Sequence, residues 1–465
     1  MISRSLILGW AILLALPQTG LAQQTPSDAS APASAPPVRK NYFVPFFDIV
    51  AFDFLLNRYG HSFVDRSTYD VDMASIRRNL SSPWVLDNDP FSINQFMHPY
   101  QGSMYHGFAR SAGLNYWESL AYTFAGSTLW EIVGETTLPS RNDQITTGIG
   151  GTFLGEPLFR LASLVLEKTK NGPGFWRELS AAVISPSTGF NRRAYGNRFR
   201  GEFPSRDPAF FTRVQLGMMG TVSVRKSFTQ SLARNEEVAD FFVDYGMPGK
   251  PDYAYRRPFD YFNFQFTTST GSRFENIFSR GLLAGKAYGE GADRSRGVWG
   301  LYGTYDYVAP QIFRVSSTAL GLGTTVQRRI AQSRALQTTL LAGVGWGAGG
   351  TIRDVEERDY HYGLTPQMLA AVRVIPGDTT AFDLTFRDYY VSRIGSKQLR
   401  GSENIARADA LFSVRLKNRH AASVRYVWSR RAASEPDLGN IIQSRGTVGL
   451  FYTYLGGTHF GAVEF

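Results

Sequence analysis

The chain has 465 residues, a formal net charge of +10 and no cysteine. The lack of cysteine excludes disulfide frameworks and thiol chemistry. The basic surplus points to an anionic neighbour, either nucleic acid or an acidic surface.

Residues 1–22 read as a secretory signal. Arg4 supplies the positive start, residues 6–16 the apolar stretch, and Gly20-Leu21-Ala22 the small-residue cleavage site, so the mature chain begins at Gln23. No cysteine follows that site, which excludes a lipoprotein anchor, and removal of Arg4 takes the charge from +10 to about +9. Residues 23–40 are rich in Ala, Ser, Pro and Gln and predict a disordered linker. Export, together with basic residues scattered along the chain, argues against nucleic acid as a partner. The phosphates of lipopolysaccharide and outer-membrane lipid are the expected anionic neighbours.

Residues 41–205 form an N-terminal region. Its first apolar run, residues 44–56, fits one or two strands, or a segment covering a barrel mouth. Asp87-Asn88-Asp89 with Asn94 resembles a calcium loop, but the glycine and terminal glutamate of such a loop are missing, so a turn around Pro90 is the better reading. A helical hairpin is expected over about residues 103–170. From Ser103 to about Thr137 there is no proline, and Leu114, Trp117, Tyr122, Phe124, Leu129, Trp130 and Val133 give the run its bulk. Glu131 and Glu135 fall on one helical face, which calls for a cation, a shared proton or a hydrogen-bond network beside them. Leu138-Pro139 breaks the helix, and Ser140 stands three residues before Asp143, the spacing of a capping box. Gly148, Gly150, Gly151 and Gly155 follow, each costing roughly 1 kcal/mol of helix stability against alanine. Such a cost is offset where another backbone comes close, so the second helix is expected to pack tightly. Glu156 and Arg160 complete it as an i, i+4 pair in the favourable order.

Several of these runs resemble the bacterial domain-of-unknown-function family 3943 (DUF3943). They are His98-Pro99-Tyr100-Gln101-Gly102, Pro139-Ser140-Arg141-Asn142-Asp143, Gly155-Glu156 with Arg160, and Gly189-Phe190-Asn191-Arg192. The resemblance covers about residues 84–198. It implies an outer-membrane setting and assigns no activity.

The residues able to carry chemistry are few. His106, Glu131 and Glu135 fit a divalent metal or a general base with its orienting partners, or else a buried polar network fixing the hairpin. His106 lies too far along an unbroken helix to join the two acids, since ~25 helical residues span close to 38 Å. The triangle therefore needs a break near Gly113 or Gly126. Ser140 with His106 and Asp143 invites comparison with a Ser-His-Asp set, although no nucleophile elbow surrounds the serine, and helix capping accounts for Ser140 and Asp143 equally. Arg110, Asn142, Glu156 and Arg160 read as a structural or ligand-binding network. Asn191 and Arg192 fit either a lipid or sugar phosphate or a turn leading into the first strand. His61, His361, His420 and His459 show no ligand spacing. No cofactor or metal motif is present.

From about Pro208 the pattern changes to period-two alternation. Phe382, Leu384 and Phe386 alternate with Asp383, Thr385 and Arg387, and Val424, Tyr426 and Trp428 alternate with Ser423 and Arg425. Similar runs lie at residues 262–267, 412–417 and 447–454, with a turn at Asn418-Arg419-His420. No uninterrupted run of ~18 apolar residues follows the signal, so a helical membrane span is not expected. The fold class is mainly β: a transmembrane antiparallel barrel of about 12 strands, with the helical hairpin plugging or capping the lumen. Residues 206–465 supply the strands and end on Phe465, the residue type recognised by the outer-membrane insertion machinery, although His459 and Gly461 spoil the alternation before it. Two functions are carried forward. One is a structural or small-solute role in the outer membrane. The other is a barrel-embedded hydrolase or acyltransferase acting on lipid or lipopolysaccharide through His106 and Glu131/Glu135.

Overall fold

The structure, a computed structural model, describes residues 39–463 apart from 168–171, 200–202, 226–234, 290–293, 311, 332–333, 351–356, 394–400, 436–438 and 458. The expected signal segment, all but the end of the expected linker, and Phe465 lie outside the described residues. The chain divides into a helical unit ending at Ser205 and a β unit beginning at Arg206.

The β unit holds β1 (Phe210–Arg225), β2 (Asn235–Tyr245), β3 (Phe262–Ser269), β4 (Asn276–Tyr288), β5 (Ser295–Val308) and β6 (Arg314–Ala331). It continues with β7 (Arg334–Gly350), β8 (Tyr360–Ile375), β9 (Thr380–Val391), β10 (Ser402–Lys417), β11 (His420–Glu435) and β12 (Gly439–Leu455). Each strand pairs antiparallel with its sequence neighbour, and β1 pairs with β12, from Arg213 opposite Leu455 to Arg225 opposite Ser444. The result is the closed twelve-strand barrel that the alternation predicts. Its polarity is inverted relative to a soluble protein. On β9 Phe382 and Leu384 are exposed while Asp383 lines the interior, and on β11 Val424 is exposed while Arg425 is buried. The hairpin between β10 and β11 turns through Asn418, whose φ of 52° suits asparagine.

The last strand stops at Leu455, short of the expected run to the terminus. Residues 456–463 leave the wall and turn inward. Gln327 of β6 donates from Nε2 to the Gly461 carbonyl (2.9 Å) and accepts the Val463 amide (2.6 Å). Around the closed ring β6 lies six places from β12, on the opposite wall. Phe460 and Val463 are buried there with Phe211, Met247, Ile375 and Leu455, an apolar cluster at the barrel end that holds the start of β1 and the end of β12. His459 and Gly461 interrupt the alternation because this stretch is not a strand.

The helical unit opens with α1 (Phe43–Phe63), where strands had been one expectation. Pro45 sits in the first turn, where its missing amide costs nothing. The polar residues settle the period: Asp48, Asp53 and Asn57 are buried along one face with Pro45, Ile49 and Gly60, a helical spacing that alternation cannot produce. Two short helices follow, α2 (Arg66–Tyr69) and α3 (Met73–Ser81). The hairpin is then α4 (His98–Ser111), α5 (Tyr116–Val133), and α6 (Arg141–Ile145) running through a π turn into α7 (Gly151–Leu166). The first expected helix is thus two, parted at Gly113 with φ of 89°. Asn115 and Glu118 form a reciprocal capping box at the start of α5. α8 (Phe175–Ile184) and α9 (Pro186–Ala194) complete the unit.

The glycines of the second helix are spent on closeness to the first. A methyl group on Gly151 would meet the Gly102 Cα at 2.6 Å, and one on Gly155 would meet the His106 Cβ at 3.0 Å. α4 and α7 therefore cross backbone against backbone, and this crossing brings the polar residues of both into one interior.

Candidate functional site

Gly155 lets α4 approach α7 closely enough for Glu156 to reach three cations or potential cations. Its carboxylate accepts from Arg110 Nε (2.7 Å), Arg110 Nη2 (3.2 Å) and Arg160 Nε (2.8 Å), and His106 Nε2 stands 3.0 Å away. Burial alone would raise the Glu156 carboxyl, but the Arg110 and Arg160 guanidinium groups and the His106 ring overcome it and hold it well below the usual carboxylate range. Burial lowers the His106 pKa, so the ring is neutral and its Nε2–H donates to Glu156. Its Nδ1 has no hydrogen-bond partner. Arg110 is further held between the rings of Phe159 (4.6 Å) and Phe203 (4.8 Å). This cluster is a locked ion-pair node.

A second cluster gathers carboxyl groups without any Arg or Lys. Glu131 accepts the Ser140 amide (2.7 Å), and the Ser140 hydroxyl donates to Asn142 (2.8 Å) while accepting the Asp143 amide (3.2 Å). Asn142 donates to Asp87 (2.7 Å) and Asp143 (3.1 Å), and Asn94 also donates to Asp87 (2.6 Å). Glu135 accepts from Trp130 Nε1 (2.9 Å) and the Thr137 hydroxyl (2.9 Å). Burial, reinforced by neighbouring carboxylates, raises Glu131 and Asp143 well above their ordinary values, and burial lifts Glu135 to about 7. His98, 3.8 Å from Asp143, is lowered to about 4 by burial. Burial thus disfavours charge on the imidazole and on the Glu131 and Asp143 carboxyls alike.

The structure thus separates the residues that the sequence grouped. His106 belongs with Glu156, Arg110 and Arg160, while Glu131, Glu135, Ser140, Asn142 and Asp143 form the other cluster. The break at Gly113 folds α5 back along α4, with Gly126 against the Tyr105 ring, but leaves His106 on Glu156 and not on the acids. The imidazole facing Asp143 is His98, and the Ser140 hydroxyl is engaged by Asn142. The run containing Asn191 and Arg192 is α9, not a turn into the first strand. Asn191 donates to the Phe108 carbonyl (3.1 Å) and the Ser111 hydroxyl (2.8 Å), and Arg192 makes a two-point pair with Glu178 (2.9 and 2.7 Å). No three His, Asp or Glu side chains among the described residues are arranged to hold a metal ion.

The barrel interior carries a third set, visible in the sequence only as the polar half of each alternation. Arg373 of β8 bonds Asp244 of β2 at 3.1 Å, and these strands lie six places apart on the ring, on opposite walls. Arg425 of β11 bonds Asp240 of β2 (3.2 Å), Arg213 of β1 bonds Asp383 of β9 (3.0 Å), and Tyr389 of β9 donates to Asp306 of β5 (2.9 Å). Arg387 of β9 lies 3.8 Å over the Phe278 ring of β4. Among these side chains remains a cavity of about 60 Å³ lined by Arg213, Asp244, Arg280, Arg373, Asp383 and Arg425 among others.

Among solved structures, the chain is similar to the outer-membrane protein OmpT of Vibrio cholerae, with 6% identity, a TM-score of 0.23, and coverage of 53% of this chain and 96% of that one. It is likewise similar to the outer-membrane channel DcaP of Acinetobacter baumannii, with 7% identity, a TM-score of 0.25 and the same coverages, 53% and 96%. No curated protein matches. The stretch that supplies both helical clusters is the one with a family assignment: residues 83–187 match the family described as domain of unknown function (DUF3943).

Proposed function

We propose that the protein is a β-barrel of the Gram-negative outer membrane with a sealed lumen, serving the envelope structurally and not as a diffusion pore. The observation that carries this reading is the Arg373–Asp244 bond between opposite walls, with Arg213, Arg387, Arg425 and Tyr389 reaching across beside it. Paired charges that cross the lumen narrow the water path at that level. The exterior supports the membrane setting, since Leu216, Met218, Leu320, Leu322 and Leu450 are exposed on the outside of the wall. In water such a surface is unfavourable; in hydrocarbon it is the required one, because a closed barrel satisfies all its backbone hydrogen bonds internally. The export-type start of the sequence agrees with it. Lipid and lipopolysaccharide phosphates are the proposed neighbours of the basic surplus, and the outer-membrane insertion machinery the proposed assembly partner.

Conductance in planar bilayers tests the sealed lumen. The full chain should give no steady current steps, whereas the Arg373→Ala/Arg425→Ala double variant, folded as judged by its unheated gel mobility, should conduct. Steady open steps from the unaltered protein would overturn the reading.

A further inference from the structure

The first helix of the helical unit is also inverted. On α1 the polar side chains of Asp48, Asp53 and Asn57 point inward, while Phe43, Phe47, Phe54, Leu55, Tyr59 and Phe63 are exposed along the opposite face. These positions recur at helical spacing over the whole element, which is about 32 Å long at 1.5 Å per residue. A helix on the surface of a water-soluble protein has the reverse arrangement. On α5, Ser119, Thr123, Gly126, Ser127 and Glu131 are buried beside Tyr116 and Trp130, and Trp117 is exposed. At the start of α8 Phe175 and Trp176 are exposed as well. Contiguous apolar surface on this scale marks an interaction site.

We infer that the outward face of α1 is a lipid-binding surface, embedded in the acyl region of a membrane with its flanks at anionic headgroups. The inference rests on the membrane reading given above. Two features favour lipid over a protein partner. The buried face of α1 carries Asp48, Asp53 and Asn57, and an element whose polar side is turned inward and whose apolar side is continuous is built for hydrocarbon. The exposed charges of residues 39–78 are mainly basic: Arg39, Arg58, Arg66, Arg77 and Arg78, with Lys40 paired to Glu118, against Asp65, Asp70 and Asp72. That balance complements anionic phosphates at a membrane surface.

The chain has no native cysteine, so single labels can be placed without background. Phe47→Cys, Phe54→Cys and, on the barrel exterior, Leu450→Cys would each be labelled with the fluorophore NBD in the full chain. The proteins would be reconstituted in phosphatidylethanolamine–phosphatidylglycerol vesicles. Quenching by doxyl-labelled lipid is then compared with quenching by aqueous iodide. The expected result is several-fold stronger quenching by doxyl lipid than by iodide at all three sites. Iodide quenching at 47 and 54 with lipid quenching at 450 overturns the inference and leaves the barrel reading intact. Protection from both quenchers at 47 and 54 also overturns it, because a protein surface then covers the face. Lipid quenching at 47 and 54 with iodide quenching at 450 supports the inference and removes the transmembrane barrel.

Discussion

Glu156 and Glu131 are both buried acids of the helical unit, yet their surroundings give them opposite charge states. Glu156 is ionised between two guanidinium groups, and Glu156→Gln takes the counter-charge from buried Arg110 and one charged partner from Arg160. Breaking such a pair costs about 3–5 kcal/mol. Burial and the Glu135 carboxylate raise the Glu131 pKa and disfavour its charge, and its side chain accepts the Ser140 amide, which glutamine also does, so Glu131→Gln should cost less than about 1 kcal/mol. Thermal melts of both variants in detergent, followed by circular dichroism, check this order; a reversed order would show Glu131 to be charged. The sequence left a cation, a shared proton or a hydrogen-bond network open beside Glu131, and the network is what the structure holds. Two acids four residues apart show a shared face but not what lies opposite it, and Arg110 and Arg160 are taken by Glu156. The pH response follows from the same burial. Asp53 is raised to about 8 and Glu135 to about 7, each chiefly by burial. A carboxyl with a raised folded pKa contributes its stability below the unfolded value of about 4 and loses it as pH climbs to the folded one. His98, lowered to about 4, works the other way and costs stability only as pH falls below its ordinary 6.5. Between pH 6.5 and 8 the histidine is therefore silent, and the melting temperature should fall with rising pH. Asp53→Asn should flatten that slope, and an unchanged slope would remove Asp53 from the account.

Among the elements, the strands were legible because a barrel wall has two faces with opposite tastes, and a period of two writes both into the chain. The crossing of α4 and α7 was legible too, because glycines inside a helix need a reason. Gly151→Ala should destabilise the helical unit by about 1–3 kcal/mol, despite a helix-propensity gain of roughly 1 kcal/mol, because the new methyl group meets the Gly102 backbone, which has no side chain to move aside. Urea or thermal unfolding of that variant provides the measurement. α1 was not legible as a helix. Its aromatic run hides the usual amphipathic signal, since here the apolar residues face outward and only Asp48, Asp53 and Asn57 mark the inner face. A search for the spacing of polar residues, in place of apolar ones, would have found it.

At the scale of the molecule, the barrel wall and α1 share one device, polar side chains turned inward and apolar ones outward. The twelve-strand count was readable from the alternation, but the bonds crossing the lumen were not. They depend on which strands stand opposite once the ring is closed, and Asp244 and Arg373 are far apart in sequence. The same holds for the tail beyond β12. Its bonds to Gln327 tie the end of β12 to the wall six places away on the ring. Residues 459–463 are therefore a clasp across the closed barrel, and their position distinguishes a finished barrel from an open sheet.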